Sequence, residues 1–309
     1  MLGMRYFHDV ARAFDDSFDG VSASTYYYGR STISYNDYAG FAQYDLDTRW
    51  LNLSVGGRYE YYSPVGGHFV PRVALTKAWQ KFHLKALYSQ ASRIPGINVE
   101  QAASDGVVKP EQTSDYEIEA GYQFNDSLSL VGNIFYTQLD KPIIYTADTA
   151  GGSSDGYYNG TKISTAGMES QLRWDQPQFS SSLSCSFYRA IDNAVAYVRG
   201  DEGSFLAAPT VKVTASGTWH LMKSLDWNNS GYWISDRQVY AYPAAGVTSL
   251  PPEFIMNTFL NYKFKYASIG LGVQDLLNVN RYAPQPYAGG SGPLPLKGRE
   301  VFLKLQYTF

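Results

Sequence analysis

The side chains that could carry chemistry in this chain are few and widely scattered. The four histidines are His8, His68, His83 and His220, and no two of them have the i, i+4 or other spacing of metal ligands. The single cysteine, Cys185, can form neither an intrachain disulfide nor a multi-cysteine metal site, so we interpret it as a structural thiol. We therefore predict no metal site and no cofactor.

Two further patterns could indicate catalysis or phosphate binding. Glu117 and Glu119 lie two residues apart on a predicted strand, so their carboxylates share one face. Such a pair can serve acid–base catalysis, but the polar wall of a barrel has the same spacing. The stretch GGSSDGYYNG (151–160) lacks the Lys-Ser/Thr ending and the following helix of a phosphate-binding loop. We predict no catalytic residue, no enzyme activity and an external loop at 151–160.

Aromatic side chains near the ends of predicted strands are the candidates for contact with a ligand. They are Tyr145, Tyr157, Tyr158, Trp233, Tyr240 and Tyr242. A small-ligand site needs aromatic walls and a few polar groups. The interfacial girdles of a membrane barrel need the same residue types, so both interpretations stay open at this point.

The elements that position these residues are predicted strands of about ten residues. In LNLSVGGRYEYY (51–62), apolar Leu51, Leu53 and Val55 alternate with polar Asn52 and Ser54. The same alternation recurs at 81–90, 114–124, 210–221, 253–264 and 301–309. Alternation gives each strand one apolar and one polar face, and this length is near the 9–11 residues with which a tilted strand crosses a bilayer.

The connections between these strands alternate between short and long. The short ones lie at 47–49, 79–81, 124–127, 175–178, 222–225 and 263–266. The long ones lie at roughly 61–69, 90–113, 139–161, 190–207, 236–252 and 275–297. A soluble sandwich has no reason to keep its long loops at one end, whereas outer-membrane barrels have tight periplasmic turns and long external loops. We predict an all-β, antiparallel transmembrane β-barrel in the bacterial outer membrane, with about 12–14 strands over residues 1–309.

Composition excludes several other classes of protein. The net charge of −3 gives no basic field for nucleic acid. No apolar run approaches the roughly 20 residues of a membrane helix, and MLGMRYFHDVARAFDD lacks the apolar region of a signal peptide. The end of the last predicted strand is a separate feature. That strand ends on Phe309, which we place at the periplasmic girdle of aromatic residues.

Several stretches resemble the C-terminal part of TonB-dependent outer-membrane receptors. In the family's order they are FAQYDLDTRWLNLSVGGRYEYY (41–62), PRVALTKA with LKALYSQASRIPG (71–78, 84–96), VKPEQTSDYEIEAGYQF (108–124), AGMESQLRW (166–174), VQDLLNVNRY (273–282) and the terminal strand. The stretch at 108–124 is the most specific match, and the resemblance covers about 38–309.

The residues that carry this resemblance are Arg93, Pro95, Lys109, Pro110, Glu111, Tyr116, Glu117, Asp275, Asn278 and Phe309. The resemblance implies that their roles are structural. Pro95 and Pro110 lie at the edges of a long predicted loop, where a missing N–H is tolerated. Asp275 and Asn278 suit a turn where a strand ends, and Phe309 resembles the signal that the barrel assembly machinery recognises.

The resemblance implies active uptake of a scarce substrate: a ferric siderophore, cobalamin or a glycan. It implies outer-membrane lipid as the surroundings and a TonB-type energising partner acting through an N-terminal region. The chain departs from the family because nothing in it matches a plug domain, and barrels of this class have 22 strands. We therefore expect a C-terminal barrel portion from a fragment, a split or truncated gene, or an internal start. The alternative is a passive pore of about 14 strands.

Overall fold

The structure, a computed structural model, describes residues 1–12, 32–63, 65–96, 108–146, 156–193, 203, 205–240, 247–284 and 292–307. All the regular elements within these ranges are β-strands. No helix in this part of the chain is long and apolar enough to cross a bilayer.

Within the described residues, fourteen strands form one sheet. They are β1 (Leu2–Arg12), β2 (Thr32–Asp47), β3 (Asn52–Tyr62), β4 (Gly66–Ala78), β5 (Phe82–Arg93), β6 (Glu111–Asn125), β7 (Leu128–Asp140), β10 (Lys162–Gln176), β11 (Phe179–Asn193), β12 (Val211–Met222), β13 (Leu225–Ile234), β16 (Glu253–Lys263), β17 (Ala267–Gln274) and β20 (Glu300–Tyr307). Three two-stranded hairpins complete the set: β8 (Ile143–Thr146) with β9 (Gly156–Asn159), β14 (Arg237–Tyr240) with β15 (Val247–Leu250), and β18 (Tyr282–Ala283) with β19 (Leu294–Pro295).

The order of strands in the large sheet follows the order of the chain, and β1 and β20 are its edge strands. Each hairpin leaves the sheet between two neighbours: β8–β9 after β7, β14–β15 after β13, and β18–β19 after β17. Neighbouring strands pair antiparallel, as between β2 and β3 or β12 and β13. The all-β antiparallel fold and the predicted strand count are confirmed.

The short connections lie where the sequence places them, between β2 and β3, β4 and β5, β6 and β7, β10 and β11, β12 and β13, and β16 and β17. One predicted long connection, at 61–69, is wrong. The β3–β4 ladder continues to the pair Tyr62 and Gly66, so residues 63–65 alone join the two strands. Gly66 has φ +86°, which glycine adopts without a steric penalty. His68, predicted in a loop, therefore lies on β4.

The chain divides into two compact units. The first unit comprises Met1–Lys77, Lys85–Glu117 and Thr137–Ser164, and the second comprises Ala78–Leu84, Ile118–Tyr136 and Thr165–Phe309.

In the second unit, pairing across four strands aligns residues of one kind in rows. One row joins Leu183, Ala215, Gly231 and Met256. The adjacent row, on the opposite face, joins Ser182, Ser216, Ser230 and Asn257. The serines and the asparagine hydrogen-bond across strands, as between the Oγ atoms of Ser182 and Ser216 at 2.9 Å. The sheet thus has the predicted apolar and polar faces.

The apolar face carries large side chains that nothing in the described chain covers. Leu271 is 54% exposed, Leu303 is 61% exposed and Trp227 is 41% exposed. A soluble protein rarely exposes a continuous apolar surface of this kind, whereas the outer wall of a membrane barrel is a band of such residues in contact with lipid.

Candidate functional site

The first unit contains a cavity of about 800 Å³ on its polar face, which we call the charged cavity. Its lining residues come from β1, β2, β3, β4 and the end of β5. They are Arg5, Phe7, Asp9, Asp37, Arg58, Glu60, Tyr62, Val70 and residues 90–96.

Glu60 is the centre of the ionic contacts in the charged cavity. Its side chain is 7% exposed, and its Oε1 accepts hydrogen bonds from Arg5 Nη2 at 2.5 Å and from the Arg58 guanidinium. Its Oε2 lies 3.5 Å from His68 Nε2. The Arg5 guanidinium also donates to Asp37, which is 2% exposed. Two nearly buried carboxylates are therefore held by two arginines, as buried charges require.

Strand register brings these residues together. Arg5 of β1 lies opposite Ala39 of β2, which lies opposite Glu60 of β3, which lies opposite His68 of β4. The four residues therefore form one row across four strands. The small side chain of Ala39 lets Arg5 reach across β2 to the Glu60 carboxylate.

The cavity presents cationic groups at its surface and keeps two of its three carboxylates, Asp37 and Glu60, at its base, whereas Asp9 is half-buried. The side chains of Arg5 and Arg58 are 48% and 32% exposed, against 2% for Asp37 and 7% for Glu60. Arg93, at the end of β5, is 68% exposed while its Nε contacts Glu111 at 2.5 Å. Guanidinium groups bind anionic oxygens with charge-assisted and often bidentate hydrogen bonds. The cavity can therefore bind an anionic, oxygen-rich ligand.

The motif residues Lys109 and Glu111 connect β6 to the β8–β9 hairpin. Glu111 Oε1 accepts from the Ile143 N–H at 2.6 Å. Asn159 Oδ1 accepts from the Lys109 N–H at 2.7 Å, and Asn159 Nδ2 donates to the Lys109 carbonyl at 2.9 Å. Pro110 lies between them without an N–H to satisfy. These bonds fix the hairpin beside Arg93.

The other motif residues lie in several places. Pro95 is buried, and its carbonyl accepts from the Tyr62 hydroxyl at 3.5 Å. Tyr116 is exposed and packs on Tyr88 with ring centroids 4.9 Å apart, and Glu117 is half-buried on β6. Phe309 lies outside the described residues.

Asp275 and Asn278 form the turn that follows β17. Both have positive φ, at 49° and 54°. The Asp275 carboxylate accepts from the Val279 N–H at 3.1 Å, and Asn278 Oδ1 accepts from the Arg299 N–H at 2.9 Å. The two short polar side chains thus stabilise the departure of the chain from the sheet.

The structure brings together only some of the predicted aromatic candidates. Tyr145 and Tyr157 pair on the β8–β9 hairpin, with ring centroids 5.1 Å apart. Tyr158 lies beside them, opposite Ile144. Trp233 lies elsewhere, on the apolar face beside Phe254.

Tyr240 ends β14, opposite Val247. Tyr242 lies outside the described residues.

Sequence reasoning missed the residues that form the centre of the charged cavity. Arg58 and Glu60 could be placed on the polar face of a predicted strand. Arg5 and Asp37 could not, because the segments that carry them were not predicted as strands.

Three of the four histidines contact carboxylates, and His8 Nδ1 lies instead 2.8 Å from the amide Oδ1 of Asn36. His83 Nε2 lies 3.2 Å from Glu119 Oε1, and His220 Nδ1 lies 2.6 Å from Asp226 Oδ1. No three His, Cys, Asp or Glu side chains meet in a metal-binding group among the residues that the structure describes.

Comparison with known proteins decides the family. A family model described as TonB dependent receptor-like, beta-barrel matches residues 1–276. The chain belongs to this family. TonB-dependent receptors are proteins of the bacterial outer membrane, and the fourteen-stranded sheet is a portion of such a receptor barrel. They act in transport and are not enzymes.

Solved structures of TonB-dependent receptors share this fold at low identity. A ferric enterobactin receptor (PfeA) mutant from Pseudomonas aeruginosa, in complex with enterobactin, has a TM-score of 0.79 at 18% identity, covering 100% of this chain and 51% of that chain. The siderophore receptor PirA from Acinetobacter baumannii has a TM-score of 0.79 at 15% identity, with coverages of 100% and 52%. The FrpB iron transporter from Neisseria meningitidis has a TM-score of 0.76 at 15% identity, with the same coverages.

The chain spans about half the length of these receptors. No curated protein sequence matches it.

Proposed function

We propose that this chain forms part of an outer-membrane receptor for the active uptake of a ferric siderophore, energised by a TonB-type partner. The charged cavity is the observation that supports this class of substrate. In it, Arg5, Arg58 and Arg93 present guanidinium groups above buried carboxylates. The solved structures named above, which are siderophore receptors and an iron transporter by their own descriptions, support the same class.

Ligand chemistry favours a ferric siderophore over the other two substrates that the sequence left open. Siderophores hold iron through anionic oxygens, and guanidinium groups bind such oxygens with directional, charge-assisted hydrogen bonds. Cobalamin and glycans present mainly amides and hydroxyls, which do not need three arginines. The tyrosine pair Tyr145 and Tyr157, on the hairpin that Glu111 anchors, adds aromatic surface of the kind that ligand sites use.

The proposal has three further parts. Energy comes from a TonB-type protein acting through an N-terminal region, the barrel assembly machinery inserts the protein through its C-terminal strand, and outer-membrane lipid surrounds the apolar face.

The test uses the receptor as it occurs in its own outer membrane, with uptake of radiolabelled ferric siderophores measured in intact cells. Arg93→Gln removes the most exposed guanidinium of the cavity, while Glu111 keeps its bond from Ile143 N–H. Because hydrogen bonds to charged groups contribute about 1.5–3 kcal/mol, we expect the half-saturating concentration to rise roughly tenfold or more. Arg49→Gln is the matched control, because Arg49 lies in the β2–β3 turn and stacks on Trp50.

Two results would overturn the proposal. One is unchanged uptake by the Arg93 variant. The other is uptake that continues when the TonB-type protein is deleted. If the purified protein also conducts ions, the two results together would establish the passive pore instead.

A further inference from the structure

The apolar face of the second unit contains a groove of about 510 Å³, which we call the apolar groove. Its floor is made by Ala215, Gly217 and Gly231, small residues on the paired strands β12 and β13. Larger side chains form its walls: Leu172, Trp174, Leu183, Trp219, Trp233, Phe254 and Met256.

The length of the groove matches the depth of one lipid leaflet. Its lower end is the aromatic row of Phe179, Trp219 and Trp227, with ring centroids 4.9 and 5.5 Å apart. Its upper end is Trp233, six residues beyond Trp227 on β13. Six residues span about 20 Å along a strand. For a strand tilted by about 40°, this length spans roughly 15 Å along the membrane normal. Half of the hydrocarbon core is also about 15 Å thick.

Cationic groups lie on the two turns directly below the aromatic row. The β12–β13 and β16–β17 turns are joined by a hydrogen bond from the Lys263 N–H to the Ser224 carbonyl at 2.7 Å. Lys263 Nζ pairs with Asp226 Oδ2 at 2.5 Å. Lys223 and Lys265 are exposed, and in the described parts of these turns neither has a carboxylate partner. Lys265 Nζ lies 4.9 Å from the centroid of the Tyr266 ring.

Asn229 adds a polar group to the floor of the groove. It lies opposite Gly217, two rows above the Trp219 and Trp227 pair and on the same face. Both polar atoms of its amide are shielded from solvent and have no hydrogen-bond partner among the described residues. A lone buried amide is costly, and this one makes the floor polar near the lower end of the groove.

We propose that this surface binds one phosphatidylglycerol molecule of the periplasmic leaflet. Short turns of outer-membrane barrels face the periplasm, so Lys223 and Lys265 lie at the level of the headgroups and bind the phosphate. One acyl chain lies in the apolar groove. Phosphatidylethanolamine carries its own ammonium group and fits this pair of lysines less well.

The test is lipid titration of the whole receptor, purified in detergent from its outer membrane and delipidated, followed by native mass spectrometry. Phosphatidylglycerol should bind at least about tenfold more tightly than phosphatidylethanolamine. A basic residue near a membrane surface contributes about fivefold to the affinity for anionic lipid, so Lys223→Gln with Lys265→Gln should weaken phosphatidylglycerol roughly 30-fold. Lys77→Gln with Lys81→Gln is the control with the same change in charge and should have no effect, because Lys77 lies near the end of β4 and Lys81 lies in the β4–β5 turn.

A second measurement tests the groove separately from the lysines. Lipid brominated on its acyl chains quenches tryptophan fluorescence, and Trp174, Trp219 and Trp233 line the groove. Ala215→Leu fills the floor without changing charge, so it should reduce quenching by bound phosphatidylglycerol at least twofold. Heat-dependent gel migration shows that each variant is folded.

The outcomes separate the proposal from unspecific contact with bulk lipid. Equal affinity for the two lipids, or equal effects of the two double lysine variants, would overturn the proposal. Unchanged quenching in the Ala215 variant would overturn the placement of the acyl chain.

Discussion

Arg237 and Glu253 form an ion pair at the base of the β14–β15 hairpin. Substitution of one or both partners tests whether the structure places this pair correctly. Arg237 begins the hairpin opposite Leu250, whereas Glu253 begins β16 opposite Ile234 of the large sheet. The guanidinium contacts Glu253 Oε1, and the two side chains are only 9% and 8% exposed. The pair therefore connects the hairpin to the sheet in a region shielded from water.

Removal of one partner should destabilise the protein far more than removal of both. Glu253→Leu leaves a buried guanidinium and Arg237→Leu leaves a buried carboxylate, and each should lower the free energy of unfolding by about 3–5 kcal/mol. The double variant carries no uncompensated charge, so its loss should be below about 2 kcal/mol. The double-mutant cycle should thus give a coupling free energy of at least about 4 kcal/mol.

The assay is equilibrium unfolding in detergent by guanidinium chloride, followed by tryptophan fluorescence, with the slope compared between variants. Limited proteolysis of the hairpin detects a loss confined to this region. The control is the exposed pair of Lys297 and Glu300, with side chains 70% and 46% exposed, whose variants should change stability by less than about 1 kcal/mol. The reasoning would be refuted if each single variant lowered the free energy of unfolding by less than about 1 kcal/mol without new proteolysis. It would also be refuted if the losses of the two single variants simply added in the double variant.

Three further variants test the contacts that side chains make on the sheet. Gly272→Ala places a Cβ 2.2 Å from Cζ of Phe302, so the ring must move and we expect a loss of about 1–3 kcal/mol. Gly40→Ala meets nothing within 4 Å and should be neutral to within about 0.5 kcal/mol, so similar midpoints for the two variants would contradict the structure. Thr258→Val removes the acceptor of the 2.8 Å hydrogen bond from Trp227 Nε1. It should cost about 1 kcal/mol and shift the tryptophan emission, and an unchanged spectrum and midpoint would show that the bond is not formed.

The sequence predicted strands well because the period-two pattern follows directly from strand geometry. The prediction of strands failed where the local residue types opposed the period-two pattern. Residues 61–69 contain Pro64, Gly66 and Gly67, which favour turns, yet β3 and β4 keep pairing up to Tyr62 and Gly66. The segment of β1 was not predicted because its alternation is irregular: His8 lies in the apolar row and Phe7 in the polar row. β1 nevertheless pairs with β2 along its length.

The charged cavity lay beyond prediction for a different reason. Alternation tells which face a side chain occupies, but a register shift of two residues keeps every face unchanged. Such a shift would move Arg5 away from Ala39, and its guanidinium would no longer reach Glu60, which is 55 residues away in sequence. Only the paired strands determine that contact, so a single sequence gives the candidates for the polar wall and not their partners.

The same alternation lets the two proposed activities be tested independently. On β13, Asn228 and Ser230 lie on the polar face, where they contact Thr218 and Asn257. Asn229, between them, lies on the apolar face at the floor of the groove. Adjacent residues of one strand therefore meet different surroundings, a polar interior and the hydrocarbon of the membrane. A substitution that removes lipid binding should leave the polar wall intact, so substrate uptake and lipid binding can fail separately and each result bears on one proposal alone.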